Sequence, residues 1–166
     1  MRPWFGALRS LLSWLLVLVV VYAIQSFANR GVLDAGRVPE FHGVTLSGES
    51  PQGLTRLPKP VVIYFWASWC GICTAMQHQI LDLAKETSVL TVAFQSGDGP
   101  QVKEYMNRHA FNIETILDED GTIGQSFGIR GVPAVFVIDK NGLIRFSTMG
   151  YTSLIGLRLR VWLAAK

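Results

Sequence analysis

An unbroken apolar run, PVVIYFWAS over residues 60–68, ends just before two cysteines, Cys70 and Cys73. The run is β-branched and aromatic with no apolar–polar alternation. That predicts a strand covered on both faces, in a sheet carrying helices on either side. After Cys70 the apolar Met76, Ile80, Leu83 and Ala84 recur at helical spacing, with Gln77, Gln79, Lys85 and Glu86 expected on other faces. Two thiols therefore sit where a buried strand gives way to a helix, and the rest of the chain has to build around that junction.

Downstream, SVLTVAF reads as a second buried strand. Gly97-Asp98-Gly99-Pro100 opens a helix through about His109, with Pro100 suited to its first turn. TILD predicts a third strand, Thr122 to Phe127 a short helix, and AVFVID a fourth strand. Lys140-Asn141-Gly142 then turns a hairpin into LIRFSTM. The chain finishes in a helix whose Ile155, Leu159, Trp162 and Leu163 share a face expected to pack on the sheet, with Arg158 and Arg160 turned away. Upstream of the first strand, VPEFHGVTLSGESPQGLTRL mixes short apolar pieces with Gly, Ser and Pro, which predicts a small irregular strand or hairpin. The order of elements is that of an α/β fold with a central sheet and helices on both faces.

The N-terminus is of another kind. LLSWLLVLVVVYAIQSF, residues 11–27, runs 17 residues without a charge between Arg9 and Arg30, and just reaches membrane-spanning length. A cleavable signal peptide competes with this, since Ser26-Phe27-Ala28 resembles a small-x-small cleavage site, but the apolar run is long for one. The expectation is an uncleaved transmembrane helix within residues 1–28, a Gly-containing linker over 29–37, and one domain over 38–166. A short basic head before such an anchor places the large C-terminal part across the membrane, outside the cytoplasm. The net charge of +3 is consistent with this division, because from Val38 onward 11 Lys/Arg face 11 Asp/Glu. No basic stripe with interleaved aromatics remains, which excludes nucleic acid as an expected partner.

With only two cysteines in the chain, a many-bridged disulfide scaffold is excluded and the pair reads as chemistry. At a helix start the unpaired N–H groups and the positive end of the dipole favour a thiolate, which makes Cys70 the candidate nucleophile. Cys73, one turn on, is placed to resolve a mixed disulfide at Cys70, and Trp69 would shield and shape the exposed face. Zinc uses the same Cys-x-x-Cys spacing, but it needs two further ligands, and His42, His78 and His109 are scattered without ligand spacing. Copper(I) held by the two thiolates alone is chemically possible. His78 and His109 read as helix-surface groups and Trp66 as core. The Pro-x-x-x-Thr-x-x-Cys setting of a peroxidatic cysteine is absent, and Thr74 after Cys73 excludes a haem-attachment Cys-x-x-Cys-His.

FWASWCGIC followed by GIRGVPAVFVIDKNG resembles thioredoxin-like proteins. With the N-terminal anchor, the Pro-Glu-Phe start and the long lead-in, the chain is most similar to the membrane-anchored group of TlpA, ResA and DsbE, and within it to the copper-sensitivity suppressors. The resemblance implies a thioredoxin-like fold with a mixed sheet, a redox-active Cys70–Cys73 disulfide in place of a cofactor, and no metal. It implies a cis Pro133 against the cysteines, with Val132 offering backbone hydrogen bonds to a bound peptide. It also implies a protein disulfide substrate, a reducing direction, and re-reduction by a transmembrane electron donor of DsbD type. Two departures stand out: Tyr64 occupies the place of thioredoxin's buried Asp, and Met76 that of the Glu found in ResA-like proteins. The Gly71-Ile72 pair also differs from thioredoxin's Gly-Pro. A disulfide-forming oxidase and a copper(I)-binding protein are the alternatives.

Overall fold

The structure, a computed structural model, describes residues 13–21, 36–41, 43–48 and 57–166. The chain divides into two units at Gly31/Val32. In the first, residues 13–21 are helical and their side chains exposed. Among the described residues no helix is long and apolar enough to cross a membrane. The expected anchor and linker lie largely outside the described residues, as do His42 and residues 49–56.

The second unit is built on a five-stranded sheet of β1 (Val61–Trp66), β2 (Ser88–Phe94), β3 (Thr115–Asp118), β4 (Ala134–Ile138) and β5 (Ile144–Met149), in the order β3-β2-β1-β4-β5. β1 pairs parallel with β2, and β2 with β3. β4 runs antiparallel to both β1 and β5. The connections supply α1 (Gly71–Ala84), α2 (Gly99–Arg108) and α3 (Thr122–Ser126), and α4 (Leu154–Ala164) follows β5. This is the central sheet with helices on both faces that the element order predicts, mixed as the resemblance implies.

β1 is the central strand and every residue in it is buried. Its period of two divides the core. Val62, Tyr64 and Trp66 join the cluster formed with α1, α2 and α4, whereas Val61, Ile63 and Phe65 join Ile123, Phe127 and Phe136 on the other face. Full burial on both sides explains the lack of alternation in the sequence. α2 opens within the expected Gly97–Pro100 stretch with Pro100 in its first turn, and the structure adds that Asp98 is its N-cap and closes a reciprocal capping box with Gln101.

Three expectations need correction. The residues of α4 that face the core are Leu157 and Ala164, flanked by Leu154 and Val161, and Ile155, Leu159, Trp162 and Leu163 are exposed. α4 is apolar nearly all round, so periodicity alone could not choose its buried side. Gln77 is buried rather than on a polar face, because the Tyr105 hydroxyl gives its amide a partner. The lead-in forms no strand or hairpin among its described residues, only a single bridge of Thr45 to Ile116, and Arg37 just before it bridges Leu143. Its prolines and glycines withhold the donors and side chains a longer ladder needs.

The two faces of α4 give a direct test by urea unfolding. Leu157→Ala should cost about 3 kcal/mol, as a cavity in the core does. Leu159→Ala should stay within about 0.5 kcal/mol of the parent.

Candidate active site

The site begins where β1 ends. After Trp66 the chain turns, with the Cys70 N–H donating to the Ala67 carbonyl at 3.1 Å. Cys70 is the N-cap of α1, with an extended backbone. In place of the usual Ser or Asp oxygen its Sγ accepts the Cys73 N–H, at 3.1 Å. Cys70 and Cys73 form a disulfide with Cα atoms 5.2 Å apart. The first turn of α1 carries no acidic side chain to offset the dipole, so negative charge developing at Cys70 Sγ meets an N–H and the positive end of a helix. The two sulfurs are unequal in access: Cys70 is 7% exposed and Cys73 fully buried.

Around Cys70 the structure brings together residues distant in sequence. The Val132–Pro133 peptide is cis, and the Val132 carbonyl oxygen lies 3.6 Å from Cys70 Sγ. The Gly150 N–H donates to the Pro133 carbonyl at 2.7 Å, tying this loop to the end of β5. Trp69 is 63% exposed, and its indole N–H donates to the Gln95 carbonyl at 3.0 Å. The Ser68 N–H donates to Ser96 Oγ at 3.0 Å, and that hydroxyl donates to the Phe94 carbonyl. The cysteine loop is thus braced on the loop after β2. Ile72, also exposed, gives the rim a second apolar side chain.

Beneath the sulfurs, the Tyr64 hydroxyl donates to the Cys73 carbonyl at 3.2 Å. Burial, and secondarily the neighbouring Tyr105, push its phenol well above the ordinary range. Tyr64 therefore stays neutral and holds α1 in place, and Met76 beside it is fully buried. A polar cluster flanks this floor. Gln77 Nε2 donates to the Tyr105 hydroxyl at 3.2 Å, and that hydroxyl lies 2.8 Å from Thr74 Oγ1. Tyr105 also stacks on Trp66. Sequence reasoning missed this cluster. The one available signal was Tyr64, since a tyrosine in a fully buried strand has to find a partner for its hydroxyl. His78 and His109 are exposed and Trp66 is core, as expected. Among the described residues no cluster of three or more His, Cys, Asp or Glu is arranged to hold a metal ion.

A strand-to-helix Cys-x-x-Cys with one accessible sulfur, on this fold, defines a thioredoxin-like thiol–disulfide oxidoreductase whose redox group is the disulfide itself. Residues 36–147 match the AhpC/TSA family, and the chain belongs to that family. It is 31% identical over 162 residues to a thioredoxin-like protein of Haemophilus influenzae, covering 95% of this chain and 94% of that one. It is 35% identical over 109 residues to the thiol:disulfide interchange protein DsbE of Escherichia coli K12, covering 63% of this chain and 54% of that protein. Among solved structures, MTB DsbF in its mixed oxidised and reduced forms superposes with a TM-score of 0.68 at 28% identity, over 75% of this chain and 95% of that one.

The raised Tyr64 pKa has a pH consequence. An acid group whose folded pKa lies above its unfolded value supports the fold below the free-tyrosine pKa of about 10, and that support is lost as pH rises past it. Tyr64→Phe should flatten the alkaline limb of stability against pH, measured by urea unfolding. An unchanged limb would show that Tyr64 is free to ionise in place.

Proposed function

We propose that the chain is a membrane-anchored reductase of protein disulfides, with Cys70 as nucleophile and Cys73 as resolving thiol. The observation that carries this is the asymmetry of the pair: Cys70 is reachable and capped by the Cys73 N–H, and Cys73 is enclosed. In the reduced protein, Cys70 thiolate attacks one sulfur of a substrate disulfide. The substrate S–S bond breaks and the leaving sulfur takes up a proton. Cys73 then loses its proton and attacks Cys70 Sγ in the mixed disulfide. The second substrate sulfur departs, and the Cys70–Cys73 bond forms as two electrons pass to the substrate. With Tyr64 held neutral and Met76 apolar, neither can take the Cys73 proton, so solvent or the departing substrate thiolate receives it. Trp69 and Ile72 offer apolar contact to a bound polypeptide, and the Val132 backbone offers it hydrogen bonds beside Pro133.

For its setting we propose a bacterial inner-membrane protein with residues 1–28 as a single-pass anchor, residues 29–37 as linker and the domain in the periplasm. The 17-residue charge-free run supports this reading. A reductase in an oxidising compartment has to be re-reduced through the membrane. A transmembrane donor of DsbD type fits that need, and an anchor keeps the domain near it. We take cytochrome c maturation or copper tolerance as the process served, the first on the likeness to DsbE and the second on the sequence motifs' resemblance to the copper-sensitivity suppressors alone.

Equilibrating the full chain with glutathione and dithiothreitol buffers tests the direction. A couple near the thioredoxin end, about −270 mV, is the expected result. A value near about −120 mV would make the protein an oxidase, and the absence of a reversible couple would overturn the oxidoreductase reading in favour of metal binding. In the same series, Cys73→Ser should accumulate mixed disulfides with protein partners, and Cys70→Ser should form none.

A further inference from the structure

The outer face of α4 does not look like the surface of a water-exposed helix. The core-facing side is held by Leu157 and Ala164. On the opposite side Ile155, Leu159 and Trp162 recur at helical spacing, with Ile155 78% and Trp162 54% exposed. Leu163 borders this ridge, and Lys166 continues it with its ammonium 3.6 Å from the Trp162 ring centroid. A soluble helix normally turns charge outward, so an outward apolar ridge marks a surface that meets something other than water.

Charge identifies the occupant. Residues 38–139 carry six Lys/Arg against 11 Asp/Glu, whereas residues 140–166 carry five, Lys140, Arg145, Arg158, Arg160 and Lys166, and no acidic side chain. The basic stretch of sequence is the one that bears the exposed ridge, and Glu86, just past the end of α1, is the acidic side chain paired to it, at Arg158. Arg158 is paired with Glu86 at one flank, Arg160 reaches back to the Gly156 carbonyl, and Lys166 lies by Trp162. A ridge of Ile, Leu and Trp edged by Arg and Lys has the chemistry of a helix lying in a bilayer interface. There the aliphatic and indole groups enter the acyl boundary and the cations meet anionic headgroups. A second copy of the chain fits less well, because two such ridges would bring like charges together.

We propose that the outer face of α4 is a membrane-contact surface for anionic lipid, in addition to any N-terminal anchor, so that the domain rests on the bilayer. This rests on the membrane location proposed above, and the experiment separates the two. In the full chain with Cys70→Ser and Cys73→Ser, single spin labels are placed at Ile155→Cys, Leu16→Cys and, as an aqueous reference on α2, Gln101→Cys. The protein is reconstituted into vesicles of phosphatidylcholine with or without phosphatidylglycerol. Oxygen against nickel-chelate accessibility reads the depth of each label.

The expected result places the Ile155 label about 5–10 Å into the interface when phosphatidylglycerol is present, while the Gln101 label stays aqueous. Arg160→Gln and Lys166→Gln should each lower the ratio of embedded to aqueous label about fivefold at low salt, and high salt should do the same. An Ile155 label that stays aqueous while the Leu16 label is buried would overturn this proposal and leave the anchor standing. Dipolar coupling between Ile155 labels would overturn it in favour of a second copy. A buried Ile155 label with an aqueous Leu16 label would support it and remove the anchor instead.

Discussion

The hydrogen bond from the Cys73 N–H to Cys70 Sγ is the constraint from which the site follows. It forms because β1 delivers the chain to the start of α1 with Cys70 at the capping position, where a helix has N–H groups left over. A serine or aspartate there would cap as well, but sulfur turns a structural cap into a reactive one. The group that satisfies the helix start is also the one whose negative charge the helix start favours. Folding and chemistry are coupled at this atom.

The surrounding structure holds that cap still. β1, buried along its whole length, fixes where the loop begins, and the indole of Trp69 and the Ser68–Ser96 contact fix where it goes. Tyr64 reaches from β1 to the Cys73 carbonyl and locks the first turn of α1 onto the sheet. The place where related proteins carry a carboxylate is thus filled by a neutral phenol with a positional role. In the proposed reaction proton transfer at Cys73 falls to solvent or to substrate, a chemical difference rooted in one residue of a core strand.

The element sequence and the two sulfurs were legible in the sequence because each has a local signature: an unalternated β-branched run, a Gly-Asp-Gly-Pro helix start, a Cys-x-x-Cys at a strand end; the order of strands in the sheet was not read from it. The packing of Val132 and Pro133 beside the sulfurs was legible only through family likeness, since 62 residues separate Val132 from Cys70. The Gln77–Tyr105–Thr74 cluster and the orientation of α4 were not legible. The first depends on which tertiary partner a helix meets. The second involves a helix apolar on both sides, where periodicity states that a face exists but not which one is buried. That ambiguity has a physical source: one side of α4 serves the core, and the other is apolar for a separate purpose.

The chemistry of the site depends on the helix start stabilising negative charge on Cys70. The pKa of Cys70 in the reduced full chain, read from the pH dependence of iodoacetamide alkylation with each site assigned by mass spectrometry, tests it most directly. Alkylation should be confined to Cys70 in native protein, with a pKa well below the free-thiol value of about 8.5. A Cys70 pKa at or above that value, or equal labelling of Cys73, would contradict it.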